Sequence, residues 1–160
     1  MLELIQYLQN SGFKVYIVTG AGQEFVRAYS GQIYNVEPEN VIGTSFKTKY
    51  TYENGKSILE KLLIFQKIST YGGKPEAIQS VIGKMPILAI GNSEDDRQML
   101  EWTQSNPYPH FIALVHHDDA QREFVYGADT KVGTFSDSLM SQAKEQSWNI
   151  ISMKNDWKEI

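Results

Sequence analysis

Residues 86 to 100 read Pro86-Ile87-Leu88-Ala89-Ile90-Gly91-Asn92-Ser93-Glu94-Asp95-Asp96-Arg97-Gln98-Met99-Leu100. The apolar run Ile87 to Ile90 is short and bounded by Pro86 and Gly91, which predicts a strand buried on both faces. Met99, Leu100 and Trp102 predict a helix behind it. A polar, acidic loop therefore stands where a buried strand ends and a helix begins. In open α/β sheets, ligands bind in that crevice, outside the carboxyl ends of the strands. Glu94, Asp95 and Asp96 repel one another unless helix-start N–H groups, a cation or water offset them. A solvated helix N-terminus capped by Ser93 or Asn92 accounts for the same residues without any ligand.

Gly91-Asn92-Ser93-Glu94-Asp95-Asp96, followed by Met99-Leu100, resembles the fourth motif of the haloacid dehalogenase-like hydrolases, particularly the phosphoserine phosphatase-like branch. The resemblance implies a loop that holds a magnesium ion beside an aspartate nucleophile. On it, Asn92 stands where the usual metal-ligand aspartate would be, Asp96 matches the second carboxylate of the motif, and Asp95 is the residue before it. Asn92 is a departure: an amide carbonyl binds magnesium without bringing charge, so weaker metal binding is expected.

Composition sets outer limits. A chain of 160 residues, 41% hydrophobic and 21% charged, is long enough for one compact domain with its own core, and a single domain over 1–160 is expected. The net charge is −4 and the basic residues are dispersed, so no nucleic-acid-binding face is expected. There is no cysteine, hence no disulfide, thiolate chemistry or zinc–cysteine site, and a cytoplasmic location is expected. The opening Met1-Leu2-Glu3-Leu4-Ile5-Gln6-Tyr7 has neither a basic n-region nor a long apolar core, so neither signal peptide nor membrane span is expected.

In chain order, Leu2, Leu4, Ile5 and Leu8 make a one-sided helix running to Asn10 or Ser11, with Gly12 placed to end it. Lys14 to Thr19, rich in β-branched and aromatic residues, reads as a parallel strand closed by Thr19-Gly20-Ala21-Gly22. The next helix carries Phe25, Val26, Tyr29 and Ile33 and would aim its N-terminal amides at an anion. By itself Thr-Gly-x-Gly after a strand is a structural turn. Beside the Gly91 loop it resembles the family's second motif, which implies a phosphate-binding hydroxyl at Thr19 with the Gly20 amide next to it.

Val41 to Phe46 predicts a further strand, and Lys49 to Leu59 a hairpin flap turning at Asn54-Gly55, where both residues take positive φ readily. Lys47, Lys49, Lys56 and Lys61 either draw an anionic substrate or protect a sheet edge. Tyr71-Gly72-Gly73-Lys74-Pro75 opens another helix, where a lysine opposes the dipole unless an anion or carboxylate is close. Taken alone, Lys74 is a surface residue. The resemblance makes it the third-motif lysine, a positive charge for phosphate and nucleophile.

Phe111 to Val115 predicts a buried strand ending in His116-His117-Asp118-Asp119. Neighbouring strand residues face opposite ways, so the two histidines do not share one zinc ion. Asp118 or Asp119 is expected to cap a helix over Ala120 to Tyr126, with one of these four residues open to a substrate contact. Ser136 to Gln146 predicts a capped helix, Trp148 to Met153 an edge strand, and Lys154 to Ile160 the close of the domain.

The family's nucleophile is the first aspartate of an Asp-x-Asp pair ending an earlier strand. Here no Asp precedes Asp95, and Asp-x-Asp occurs nowhere. The expected fold is thus α/β, a three-layer Rossmann-like, mostly parallel sheet with helices on both faces, its central first strand absent, incomplete at the N-terminus. The two flanking strands, around Val18 and Ala89, would pair directly, leave a groove, or recruit a second copy or an N-terminal segment. The resemblance implies catalytic charges at Lys74 and Asp96, substrate contacts at Thr19, Gly20, Lys74 and Asp95, and magnesium at Asn92 and Asp96. The implied substrate is a small phosphorylated metabolite. Two readings stay open: a magnesium-dependent phosphatase, or a fragment of one, whose nucleophile lies outside this chain, and a non-catalytic phosphate-binding or interaction module of the same fold.

Overall fold

The computed structural model describes residues 1–159, so Ile160, the end of the closing segment, lies outside the described residues. It is a mixed α/β chain of five α-helices and six strands, compatible with a Rossmann-like three-layer arrangement, and divides into two compact units, Met1–Val81 and Ile82–Ile160. Among the described residues, no helix is long and apolar enough to cross a membrane.

The first unit runs α1 (Leu2–Asn10), β1 (Ile17–Gly22), α2 (Gln23–Tyr34), β2 (Val41–Glu53), β3 (Lys56–Lys67) and α3 (Gly73–Ile82). Gly12 ends α1 as expected: with φ +85° it turns the chain so that Phe13 N donates to Leu8 O at 3.0 Å. β1 pairs in parallel with β2, Ile17 opposite Val41 and Val18 opposite Ile42, and β2 then pairs antiparallel with β3. Gly43 permits this crossing, because a Cβ there would stand 2.9 Å from the Gln23 Cα and 3.0 Å from the Ala21 carbonyl oxygen. Val26, Val36, Val41, Ile42, Ala77 and Ile78 are buried. Each large aliphatic side chain among them contributes about 1.5–3 kcal/mol.

Three expectations change here. The strand expected from Lys14 starts at Ile17 and continues through Gly22, with an irregular register between Val18 and Gly22. The Val41 strand and the hairpin are one element: β2 is 13 residues long and turns at Asn54 (φ +52°) and Gly55 (φ +75°), the two positions expected. Lys74 is buried, 4% exposed, and not the surface lysine its isolated context suggests.

The second unit holds β4 (Leu88–Gly91), α4 (Arg97–Gln104), β5 (Phe111–His116), α5 (Asp137–Glu145) and β6 (Asn149–Ser152). Its sheet is parallel throughout in the order β4-β5-β6, with Leu88 opposite Phe111, Gly91 opposite Leu114 and His116 opposite Ser152. The central strand is a continuous apolar run, Ile112 to Val115, all buried, as a strand covered on both faces requires. Leu100 and Leu139 bring α4 and α5 into the same core. Ser136 caps α5, its Oγ accepting from Leu139 N at 3.1 Å, as expected.

The helix expected over Ala120 to Tyr126 does not form; Ala120 to Arg122 make a turn, and Phe124 to Tyr126 have no regular structure. Asp119 still caps, but it caps a turn, Oδ1 accepting from Gln121 N at 3.0 Å and Arg122 N at 3.3 Å. The competing pull is Arg122, whose guanidinium pairs with Asp119 and donates to the carbonyls of Met153 (2.7 Å) and Trp157 (3.0 Å). Strands β1 and β4 are the outer strands of separate three-stranded sheets. The direct pairing around Val18 and Ala89 is therefore not made.

Candidate functional site

The acidic loop sits at the carboxyl end of β4, and Gly91 decides its shape. A Cβ at Gly91 would lie 2.4 Å from the Asp96 Cβ and 2.9 Å from its Cγ, so only a glycine lets Asp96 fold back against the strand end. There Asp96 Oδ2 accepts a hydrogen bond from Asn92 N at 2.9 Å, and Asp96 is buried, 6% exposed. A single turn of 3₁₀-helix, Glu94–Asp96, leads into α4, and neither Ser93 nor Asn92 caps that helix with its side chain.

Glu94 and Asp96 are held by different partners. Glu94 faces Arg97, whose Nε and Nη2 donate to Glu94 Oε2 and Oε1 at 2.9 Å each, and Ser136 Oγ also donates to it. Its backbone N donates to Thr134 O at 2.8 Å. Glu94 is thereby committed to holding the loop against the start of α5. Asp96 faces the strand end, and Asp95 is half-buried.

Asn92 is placed by His117, one of the four strand-end residues left open to a contact by the sequence. Its Nδ2 lies 3.3 Å from His117 Nε2, while His117 Nδ1 lies 2.5 Å from Glu123 Oε2. The His117 ring stacks on Tyr126, centroids 4.2 Å apart, whereas His116 stacks on Phe135 at 4.5 Å. The two histidines thus face different partners, as strand alternation requires, and do not converge on one ion. The sequence signal was the position of His117 just beyond a buried parallel strand; its carboxylate partner, six residues on across a turn, leaves no periodic trace.

Asp118 and Asp119 serve the scaffold. Burial alone would raise Asp118, but hydrogen bonds from Ser152 Oγ (2.7 Å) and Lys154 N (2.9 Å), with His116 nearby, hold its carboxyl below the usual range. The Arg122 guanidinium, ahead of burial and backbone hydrogen bonds, holds Asp119 below it too.

In the first unit, Thr19 Oγ1 accepts from Ala21 N at 3.1 Å, which leaves its hydroxyl hydrogen to donate elsewhere. The Gly20 carbonyl accepts from Thr44 Oγ1 at 2.8 Å, and Thr44 Oγ1 accepts from Ser69 N at 3.1 Å, so a buried threonine ties β1, β2 and the approach to α3 together. Lys74 stands in the first turn of α3, its N donating to Tyr71 O at 3.0 Å. Gly73 makes that entry possible, since a Cβ there would come within 2.0 Å of Ile68 O.

As a metal site the loop is sparse. No three His, Cys, Asp or Glu side chains converge on a common point among the described residues. Asn92 Oδ1 accepts no hydrogen bond among the described residues, and Asp96 Oδ2 already accepts from Asn92 N, so the loop offers a cation at most two side-chain oxygens. Such a set fits a magnesium ion that keeps most of its waters, since this ion dehydrates reluctantly and is often held by one or two protein oxygens plus phosphate. It does not fit calcium, which takes six to eight oxygens.

No family model matches the chain, and no curated protein does. Among solved structures, a conserved protein of unknown function from Anaerococcus prevotii superposes with a TM-score of 0.63 at 23% identity, over 93% of this chain and 36% of that one. A phosphoserine phosphohydrolase-like protein from Francisella tularensis superposes with a TM-score of 0.47 at 21% identity, over 72% of this chain and 49% of its own. The first likeness is one of fold; the chain spans little more than a third of that protein's length.

Proposed function

We propose that this chain is a phosphate-ester-binding α/β module of the haloacid dehalogenase-like type, built for magnesium-dependent phosphoryl hydrolysis but without the nucleophile among its own residues. The observation that carries the reading is the Gly91–Asp96 loop: the backbone closes on Asp96 at a glycine where an added Cβ would lie 2.4 Å from the Asp96 Cβ, and the Asn92 carbonyl accepts no hydrogen bond among the described residues. A merely solvated helix start needs neither feature.

In this reading Thr19 donates its hydroxyl hydrogen, and Gly20 its amide, to a phosphate oxygen. Lys74 supplies positive charge where negative charge develops, and burial strengthens that charge by excluding water. Asn92 and Asp96 hold the cation, with Asp95 facing substrate. The ion, when bound, neutralises phosphate charge and orients the ester. Displacement at phosphorus also needs an in-line nucleophile, and the chain carries no Asp-x-Asp pair to supply one. The substrate class is a small phosphorylated metabolite.

The test pairs turnover with binding. With magnesium and a generic aryl phosphate, hydrolysis is expected to be negligible, while inorganic phosphate binds weakly and Lys74→Ala abolishes that binding. Brisk hydrolysis lost on Asp118→Asn or Asp119→Asn would mean that a carboxylate of this chain acts as nucleophile. Absence of phosphate binding in the parent would remove the phosphate reading altogether.

A further inference from the structure

The function proposed above assigns no role to His117 or Glu123, yet their geometry is that of a device for orienting a ligand. Glu123 is almost buried, 10% exposed at its side chain, and one of its carboxylate oxygens, Oε1, is buried and accepts no hydrogen bond among the described residues. The other oxygen, Oε2, lies 2.5 Å from His117 Nδ1, and since a carboxylate oxygen only accepts, the contact calls for a ring hydrogen on Nδ1. Nε2 then faces the Asn92 amide nitrogen, a donor, at 3.3 Å. The ring cannot swing away, because it is stacked on Tyr126, and Tyr126 N donates back to His117 O at 3.1 Å.

An asparagine amide has two unlike ends, and an unanchored one rotates between them. A carboxylate ligand has no such problem, since both its oxygens bind a cation. We infer that His117, held in one tautomer by Glu123, is a positioning residue that locks the Asn92 amide with its nitrogen toward the imidazole and its carbonyl oxygen toward the cation site. The pair thus compensates for an asparagine where a carboxylate would need no orientation. This rests on the reading of the Asn92–Asp96 loop as a magnesium site, and it belongs to the general class of outer partners whose loss weakens a metal site without touching the metal.

Two readouts on the full chain test it. The first needs no metal: the side-chain amide of Asn92, identified by its disappearance in Asn92→Asp, should show in a nitrogen–proton correlation spectrum one proton resonance displaced by its contact with the imidazole, away from the pair given by a solvated amide. His117→Ala should return both resonances to the positions of a solvated amide. Glu123→Gln should act in the same direction, because the ring is then free to place its hydrogen on Nε2 and draw the Asn92 carbonyl instead. Unchanged Asn92 resonances in both variants would overturn the inference, and the second variant covers the case in which His117→Ala fails to fold.

The second readout is magnesium affinity, followed by the rise in melting temperature on titration. His117→Ala should weaken it about tenfold or more in the parent, the usual effect of losing an orienting partner. In the Asn92→Asp background the same substitution should leave affinity within error, because both ligand atoms are then oxygens. An equal loss in both backgrounds would show that His117 supports the fold and not the amide, and would overturn the inference. If neither the parent nor Asn92→Asp binds magnesium, the cation reading falls by itself. The Asn92 resonances then decide separately whether His117 orients the amide.

Discussion

Replacing Gly91 by alanine places a methyl carbon 2.4 Å from the Asp96 Cβ, 2.9 Å from its Cγ and 3.1 Å from its Oδ2. None of these atoms is the tip of a long flexible chain, so the carboxylate must leave the strand end. Overpacking of this kind costs about 1–3 kcal/mol, and the charge-assisted bond from Asn92 N to Asp96, 2.9 Å in the native loop, contributes about 1.5–3 kcal/mol that would be lost. Gly→Ala also restricts the unfolded chain, returning about 0.4–1 kcal/mol. A net loss of about 2–4 kcal/mol is expected. The three tryptophans, Trp102, Trp148 and Trp157, all lie in the second unit, so urea unfolding followed by tryptophan fluorescence reports on the half of the chain that carries the loop. With a slope of about 1–3 kcal/mol per molar urea, the midpoint should fall by roughly 1–3 M. Gly127→Ala, in the same unit and with a φ that is not positive, where an added Cβ meets nothing within 4 Å, is the control and should gain about 0.4–1 kcal/mol. A Gly91→Ala protein as stable as the parent would refute the argument that glycine is what lets Asp96 fold back.

Arg97→Ala removes a bidentate pair between side chains only 19% and 18% exposed and should cost about 1.5–3 kcal/mol by the same unfolding measurement; Arg97→Lys, lacking the fork, should recover only part. Asp118 and Asp119 are both held below the ordinary carboxylate value in the folded protein, so each contributes stability above its unfolded pKa, near 4, and loses it as pH falls through the folded value. Between about pH 5 and about pH 3 the parent should therefore lose more stability than Asp119→Asn, and equal slopes would contradict the linkage. Because β1 and β4 each have a ladder partner on one side only, we propose that these edges recruit a second copy or an added strand, and sedimentation should show concentration-dependent association. A strictly monomeric protein at all concentrations would count against that.

How much could be read in advance depended on whether the deciding contact was local. The β4 strand was legible because Pro86 and Gly91 bracket four apolar residues, and the hairpin turn because Asn54 and Gly55 are the residues that take positive φ. The reach of the hairpin was not legible: Thr48 to Tyr52 gains its strand from Ser57 to Lys61 opposite it, a pairing with no signature in either stretch alone. Ala120 to Tyr126 reads as a capped helix, yet Arg122 draws the backbone toward carbonyls of residues 153 to 158, more than 30 positions away. Within the site, Asn92 and Asp96 stand together as their spacing suggested, while the His117–Glu123 pair and the burial of Lys74 depend on tertiary packing that no local pattern encodes.

On the function proposed above, phosphate contacts persist in a chain that lacks a nucleophile. Inorganic phosphate binding reads this out, followed by phosphorus-31 line broadening with magnesium present, on the parent, Thr19→Ala and Lys74→Ala, beside aryl-phosphate turnover on the same samples. Weak binding is expected in the parent, reduced by Thr19→Ala and lost in Lys74→Ala, with turnover at background in all three. Binding that is indifferent to Lys74, or absent from the parent, would contradict it.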